Sequence, residues 1–352
     1  MERVTVREIN DFYENELRKN IKNKKRIIKF EMNKEEHIKN IVDVLNGNKE
    51  FKHVYNIFLI FEPKARLIMA LNIEDKIVNH YFTTKYLYPS IKKKLDDRNV
   101  ATRTGMGTRR AIQLVRRYME YYKRKNKNIY ILKLDINKYF YSIDHNVLKR
   151  MLYEDLVYDD YLFICKIIDS TNYDYINKKI SLIRSKYNID IPFYEYGKGI
   201  PIGNLSSQTL SIYYLNRLDH YIVHDLKLKC YVRYMDDILI LYDDKEYLYK
   251  CKDIITNILY NEYKLIINNK KTFITNIKNS FIFLGYRFTI KNNKTIMCIC
   301  NKSICNIKNK IKKNNNLLLD KYFESMVNYY FSYDVNYIKR KNIVDNSIII
   351  KR

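Results

Sequence analysis

The sequence predicts an α+β fold built on antiparallel hairpins, and three observations carry that prediction. Short apolar runs of strand length come in pairs: VYNIFLIF at 54–61 with LIMA at 67–70, CYVRY at 230–234 with ILILY at 238–242, and 281–290 with 294–300. Stretches of helical period separate them, at 73–95, 108–125, 205–224 and 245–260. A hydrophobic fraction of 47% over 352 residues supplies core for one large mixed domain or for two to three tightly joined subdomains.

In chain order, residues 1–50 are charged and helical in pattern, with Ile27, Phe30, Ile38, Ile41 and Leu45 loosely periodic, and read as an N-terminal extension. Pro63 marks a turn, which puts Lys64 and Arg66 near a hairpin tip. A polar, basic loop follows 73–95 and leads into a helix with Ile112, Val115 and Met119 on one face. IYILKLD at 129–135 is a strand that ends on Asp135, and a mainly helical stretch runs from there to about residue 191. After a loop at 197–203, Leu210, Tyr214, Leu218 and Ile222 recur along one helix, and MDD at 235–237 forms a tight hairpin turn. Residues 264–274 mix strand and turn, 281–300 make a last hairpin, and the tail from Lys302 is basic and helical. The expected division is 1–50, 51–290 and 291–352.

Lys and Arg number 65 against 39 Asp and Glu, a formal charge of +26. Two readings stay open for it: a polyanionic partner whose counterions are released on binding, or the Lys, Asn, Ile and Tyr bias of AT-rich codons. No apolar run is long enough to span a membrane and the N-terminus lacks a signal-peptide core, so a cytoplasmic protein is expected. The six cysteines are scattered, as in a reduced compartment, and Cys298, Cys300 and Cys305 lack a second ligand pair for zinc. His220 and His224, four apart on a helix, are either metal ligands or ordinary helix histidines. RTGMGTRR lacks the spacing of an NTPase phosphate loop. Arg103, Arg109 and Arg110 either track a nucleic-acid backbone or line a solvated helix face.

Three carboxylates stand apart. Asp135 ends an apolar strand, and Asp236 and Asp237 lie between two others, where apolar neighbours cannot neutralise them and a cation can. Mg²⁺ is held by one or two carboxylates plus substrate phosphates, and two such ions about 3.5–4 Å apart activate an attacking hydroxyl and stabilise a leaving group. Taken alone, two aspartates in a turn are also common turn formers.

The order of motifs decides between these readings, because residues 55–300 resemble the reverse transcriptase superfamily. YMDD at 234–237 resembles its active-site box, and KLDINKYFYSIDH at 133–145 its first catalytic motif. The resemblance implies a right-hand polymerase with fingers interleaved with the palm, an antiparallel palm sheet and a short helical thumb. It implies Asp135, Ile136, Asp236 and Asp237 as the metal set for two Mg²⁺ ions, with Mn²⁺ as a substitute. Phe140, five residues after Asp135, matches the aromatic gate against a ribose 2′-hydroxyl, and Tyr234 and Ile136 fall among the substrate-binding positions. GIPIGNLSSQ at 199–208 is similar to the loop-helix motif that meets template and nucleotide, through Gly199, Ile202, Gly203, Ser207 and Gln208. There the two glycines allow close backbone approach, and Ser206 and Ser207 are also natural helix caps. Arg66, with Lys64 beside it, matches the fingers cation that pairs with the triphosphate. Lys271 in NNKKTFI matches the lysine that protonates pyrophosphate, and FIFLGY at 281–286 resembles the primer grip.

Ile202-Gly203 and Ser207-Gln208 stand where group II intron-type relatives carry Gln-Gly and Ser-Pro. They resemble diversity-generating retroelement reverse transcriptases, as does RNVATRTGMGTRRAI at 98–112. That resemblance implies an RNA template, a DNA or RNA primer, dNTPs, a small accessory protein or structured non-coding RNA, and misincorporation opposite adenine. Two other readings stay open. One is a phage-defence polymerase making unusual or protein-primed DNA, with a primer hydroxyl from the tyrosine-rich tail. The other is an RNA-binding scaffold with a vestigial polymerase site.

Overall fold

A computed structural model describes residues 3–21, 23–61 and 65–306. Three helices open the chain, α1 (Val6–Phe12), α2 (Lys24–Met32) and α3 (Lys34–Leu45). Thr5 and Glu8 cap α1 reciprocally, which satisfies backbone donors that a helix start leaves free. The hairpin β1 (Tyr55–Ile60) and β2 (Arg66–Leu71) follows, then α4 (Ile73–Phe82), α5 (Tyr88–Lys92) and α6 (Thr108–Arg124). After β3 (Tyr130–Asp135) come α7 (Tyr139–Ser142), α8 (His145–Asp155), α9 (Tyr158–Asp169), α10 (Asp174–Tyr187), α11 (Leu205–Tyr214) and α12 (Asn216–His224). The hairpin β4 (Tyr231–Tyr234) and β5 (Asp237–Tyr242) leads to α13 (Lys245–Asn261) and β6 (Phe273–Asn276). The strands β7 (Phe281–Phe283), β8 (Tyr286–Lys291) and β9 (Lys294–Ile299) come last.

The central sheet has the order β4-β5-β3-β6, antiparallel throughout. Both of its faces are covered, which explains why its strands read as continuous apolar runs rather than as alternating ones. Leu132, Leu134, Ile238 and Ile240 face a core shared with α8, α9 and α11–α13. Ile131, Val232, Leu239 and Leu241 face α6 and the three-stranded sheet β7-β8-β9. This is the palm that the motifs led us to expect, within an α+β right-hand polymerase fold.

Two elements differ from their sequence reading. The helix expected over 205–224 breaks at Leu215, whose φ of −104° and ψ of 13° leave the helical region. Leu210, Tyr214, Leu218 and Ile222 are all buried in one core on either side of the break, so the periodicity runs through it unmarked. The run at 281–290 is two strands, because Leu284 (φ 47°) and Gly285 (φ 85°) make a two-residue turn of the kind that joins hairpins. The β8–β9 hairpin straddles residue 290, and buried side chains of α1–α3 belong to the same core as β3. Residues 301–306 are helical; Lys64, most of the expected thumb and the tyrosine-rich tail lie outside the described residues. Among the described residues no helix is long and apolar enough to cross a membrane.

Candidate active site

Antiparallel register places Asp135, the last residue of β3, directly opposite Asp237, the first of β5. Tyr234 pairs with Asp237 across the β4–β5 hairpin, and Met235 turns the chain with a φ of 57°. The three carboxylates expected from the sequence therefore lie at one end of the palm sheet, where Asp236 feels the charge of Asp135 and Asp237 that of both. Burial raises the pKa of Asp236, the charge of Asp135 adds to the rise, and Lys271 and Arg66 oppose it. Burial pushes Asp237 up to about 6, against the pull of Lys133. Lys133 Nζ stands 3.3 Å from Asp237 Oδ1 without hydrogen-bond geometry, and that buried oxygen has no hydrogen-bond partner among the described residues. Lys271 Nζ lies 2.8 Å from both carboxylate oxygens of Asp135. A partly desolvated set of three carboxylates, one with an oxygen that lacks a hydrogen bond, fits a divalent cation. Ile136, 2% exposed, offers such an ion only its backbone carbonyl.

Arg233 escaped the sequence reading. It is wholly buried on β4 and reaches Asp219 of α12 through Nε (2.7 Å to Oδ1) and Nη2 (2.6 Å to Oδ2). Its Nη1 donates to Met235 O at 3.0 Å, so a buried ion pair braces the turn that carries Asp236 and Asp237. A charged residue inside the apolar run CYVRY is the signal that could have revealed it, since a buried charge requires a partner.

The loop leading into α11 is fastened to the fingers hairpin. Met69 N–H donates to Ile202 O at 2.8 Å, and Asn204 Nδ2 donates to Met69 O at 3.2 Å. Gly203 (φ 111°) is exposed, and a Cβ there would meet Ile68 Cγ2 at 3.0 Å. Gly199 (φ 84°) is buried, and a Cβ would fall 2.6 Å from the Tyr194 ring, so its close approach is to protein. Neither Ser206 nor Ser207 is the cap, a position that Asn204 occupies. Ser206 is clamped by Asn79, whereas the buried Ser207 Oγ has no hydrogen-bond partner among the described residues. Ile202, Gln208 and Tyr234 are half-buried. Phe140 is half-buried on α7 against Tyr139, and Arg66 is exposed at the head of β2.

His220 and His224 gather with Asp96, their ligand atoms within 4.8 Å of one another. The Asp96 carboxylate is already held by Arg98, and His220 Nε2 meets Lys94 O at 2.7 Å.

Residues 61–288 match the family described as reverse transcriptase (RNA-dependent DNA polymerase). No curated protein matches the chain. Among solved structures, telomerase from Candida albicans in complex with a TWJ fragment of telomeric RNA is 16% identical with a TM-score of 0.46, over 84% of this chain and 58% of that one. Apo telomerase from Candida tropicalis, truncated from its C-terminal domain, is 17% identical with a TM-score of 0.44, over 69% of this chain and 55% of that one. The chain thus spans little more than half the length of these structures. The family match covers well over half of the sequence and includes every strand of the palm: this chain belongs to the reverse transcriptase family.

Proposed function

We propose that this chain extends a DNA or RNA primer on an RNA template with dNTPs, using Mg²⁺ or Mn²⁺ held by Asp135, Asp236, Asp237 and the backbone carbonyl of Ile136. The observation that carries this reading is the position of three carboxylates on adjacent strand ends, with Asp237 Oδ1 buried and without a hydrogen bond among the described residues. When bound, the ions would activate the primer 3′-hydroxyl and offset charge on the departing pyrophosphate. Lys271 pairs with Asp135; released from it, Nζ can give a proton to pyrophosphate. Arg66, whose charge reaches Asp236, binds the triphosphate; Lys64 is the second candidate for that role. Phe140 walls the sugar against a 2′-hydroxyl, and Tyr234 contributes to the substrate surface. The 199–208 loop contacts the templating pair through Ile202, Gly203 and Gln208, whereas Ser207, expected among these contacts, is wholly buried and does not reach the surface.

Ile202 supports the finer reading of a diversity-generating retroelement enzyme with an accessory protein or structured RNA. Its side chain offers neither donor nor acceptor to a base pair, and its carbonyl is already committed to Met69. Correct and incorrect pairs then differ less in free energy, and ~1.4 kcal/mol lost is tenfold in fidelity. The division 1–50, 51–290 and 291–352 into extension, fingers with palm, and thumb belongs to the same proposal.

Extension of a primed RNA with dNTPs and Mg²⁺, followed by sequencing of the product, tests both levels. Asp236→Asn should abolish extension while leaving RNA affinity within about twofold. Wild-type product should carry errors concentrated at template adenines. An active Asp236→Asn protein sinks the metal assignment, and an accurate wild type sinks the retroelement reading and favours a defence polymerase.

A further inference from the structure

Helix α6 carries six cations and one acid, Glu120, along TRRAIQLVRRYMEYYKR. Its buried face includes Ile112, Val115 and Met119. Spacings of four and three place Arg110, Leu114, Arg117 and Tyr121 together on another face, which forms one wall of a groove of about 530 Å³. Arg98, Lys227 and Lys229 line the same groove, and Asp97 is the one acid among its lining residues. Arg98 is paired with Asp96, and Asp97 lies 3.5 Å from Arg103. Arg110, Arg117, Lys227 and Lys229 have no ion pair among the described residues. Many other cations of this basic chain do pair, as Lys149 does with Asp169 and Lys94 with Asp155.

The groove lies away from the carboxylates. Tyr242, which lines it, is the last residue of β5, and Asp237 is the first. At roughly 3.3 Å per residue these are about 17 Å apart. Tyr118 and Tyr122 also line it, both buried, while Tyr121 is 46% exposed with Lys125 Nζ 4.5 Å from its ring centroid. Unpaired cations beside an exposed ring suit a phosphate backbone with unstacked bases, because every base has a face to stack and only unpaired ones can present it.

We propose that this groove binds a single-stranded segment of RNA, at a second site distant from the polymerase carboxylates. That the strand is RNA rather than DNA rests on the function proposed above. Such a site would hold the template or its flanking RNA on the enzyme whatever is happening at the primer end.

The test compares wild type, Arg110→Gln/Arg117→Gln, Lys227→Gln/Lys229→Gln, Tyr121→Ala and Asp236→Asn in the full chain. Fluorescence anisotropy reads binding of a labelled unstructured RNA, a duplex RNA and a single-stranded DNA over a range of salt. Each double variant should weaken single-stranded RNA binding about tenfold or more. Its salt slope should fall by about 0.7 for each phosphate that the variant no longer neutralises. Tyr121→Ala should weaken single-stranded RNA and spare duplex. All three groove variants should keep wild-type kcat on a short primed template at saturation, and with it an intact fold. Unchanged affinity and salt slope in both double variants overturns the proposal, as does a groove-dependent preference for duplex. Equal, equally groove-dependent binding of RNA and DNA overturns the choice of RNA. Asp236→Asn separates this from the polymerase reading: its activity reports on the carboxylates, and its RNA affinity, expected at wild-type level, reports on the groove.

Discussion

Asp237 shows most directly how the carboxylate end of the palm is held against its own stability. Its carboxylate is mostly buried, faces Asp135 across the sheet and has Lys133 Nζ 3.3 Å away. A pKa raised from 3.8 to about 6 means that the folded protein resists ionising this group. The sign follows from proton linkage: above pH 6 the folded state carries the full penalty, on the order of 3 kcal/mol, and as pH falls from 6 towards 4 the side chain protonates and the penalty fades. In EDTA at pH 8, Asp237→Asn should melt several degrees above wild type, and the gap should close towards pH 4. Thermal melts across that range decide it; a gap that widens on acidification would contradict the burial argument. Asp135, Asp236 and Asp237 stood out in the sequence because each ends or adjoins an apolar strand. Lys133 was not, because a lysine in the middle of IYILKLD looks like any outward-facing strand position until the sheet folds.

The β4–turn–β5 hairpin and the helix pair behind it form one mechanical unit. Arg233 Nη2 donates to Ile212 O at 2.8 Å, and Asn99 Nδ2 donates to the same carbonyl at 3.0 Å. In an unbroken helix that oxygen would accept from the N–H of residue 216, so the break between α11 and α12 frees it for these side chains. Arg233 therefore ties α11, α12 and the Met235 turn together. Removing the guanidinium leaves Asp219 charged and wholly buried, and loss of one partner of such a pair costs about 3–5 kcal/mol. Arg233→Ala should lose that much in chemical denaturation. Adding Asp219→Leu should restore part of it, a non-additivity that a double-mutant cycle measures. Additive losses would mean that the two residues act independently.

Across the whole molecule, the N-terminal helices and the palm share one apolar core. Ile9, Phe30 and Ile38 belong to the cluster that contains Leu132, Leu134 and Ile240. Ile38 is 2% exposed, so Ile38→Ala leaves a cavity in that common core and should cost about 2–5 kcal/mol. It should lower the temperature of a single melting transition and, in parallel, the temperature at which extension is lost. A separate low-temperature transition, with the polymerase unaffected, would show that residues 1–50 fold as an independent unit.

Local chemistry made much of this legible in the chain. Strand-length apolar runs, glycine and proline at turns, and carboxylates at strand ends all act within a few residues, so α+β class, hairpins and the position of three aspartates at strand ends could be read directly. Helix breaks and buried charges could not, because they depend on partners far away in sequence. Leu215 breaks a helix whose apolar period continues unbroken, and Arg233 is intelligible only beside Asp219, Ile212 and Met235. Gly199, whose freedom suggested close approach to a nucleotide, is packed against Tyr194. Periodicity and motif order report which side chains are buried and which are grouped along the chain. Only the folded packing decides which backbone carbonyl a buried cation reaches, and which cations on α6 are left without an acid.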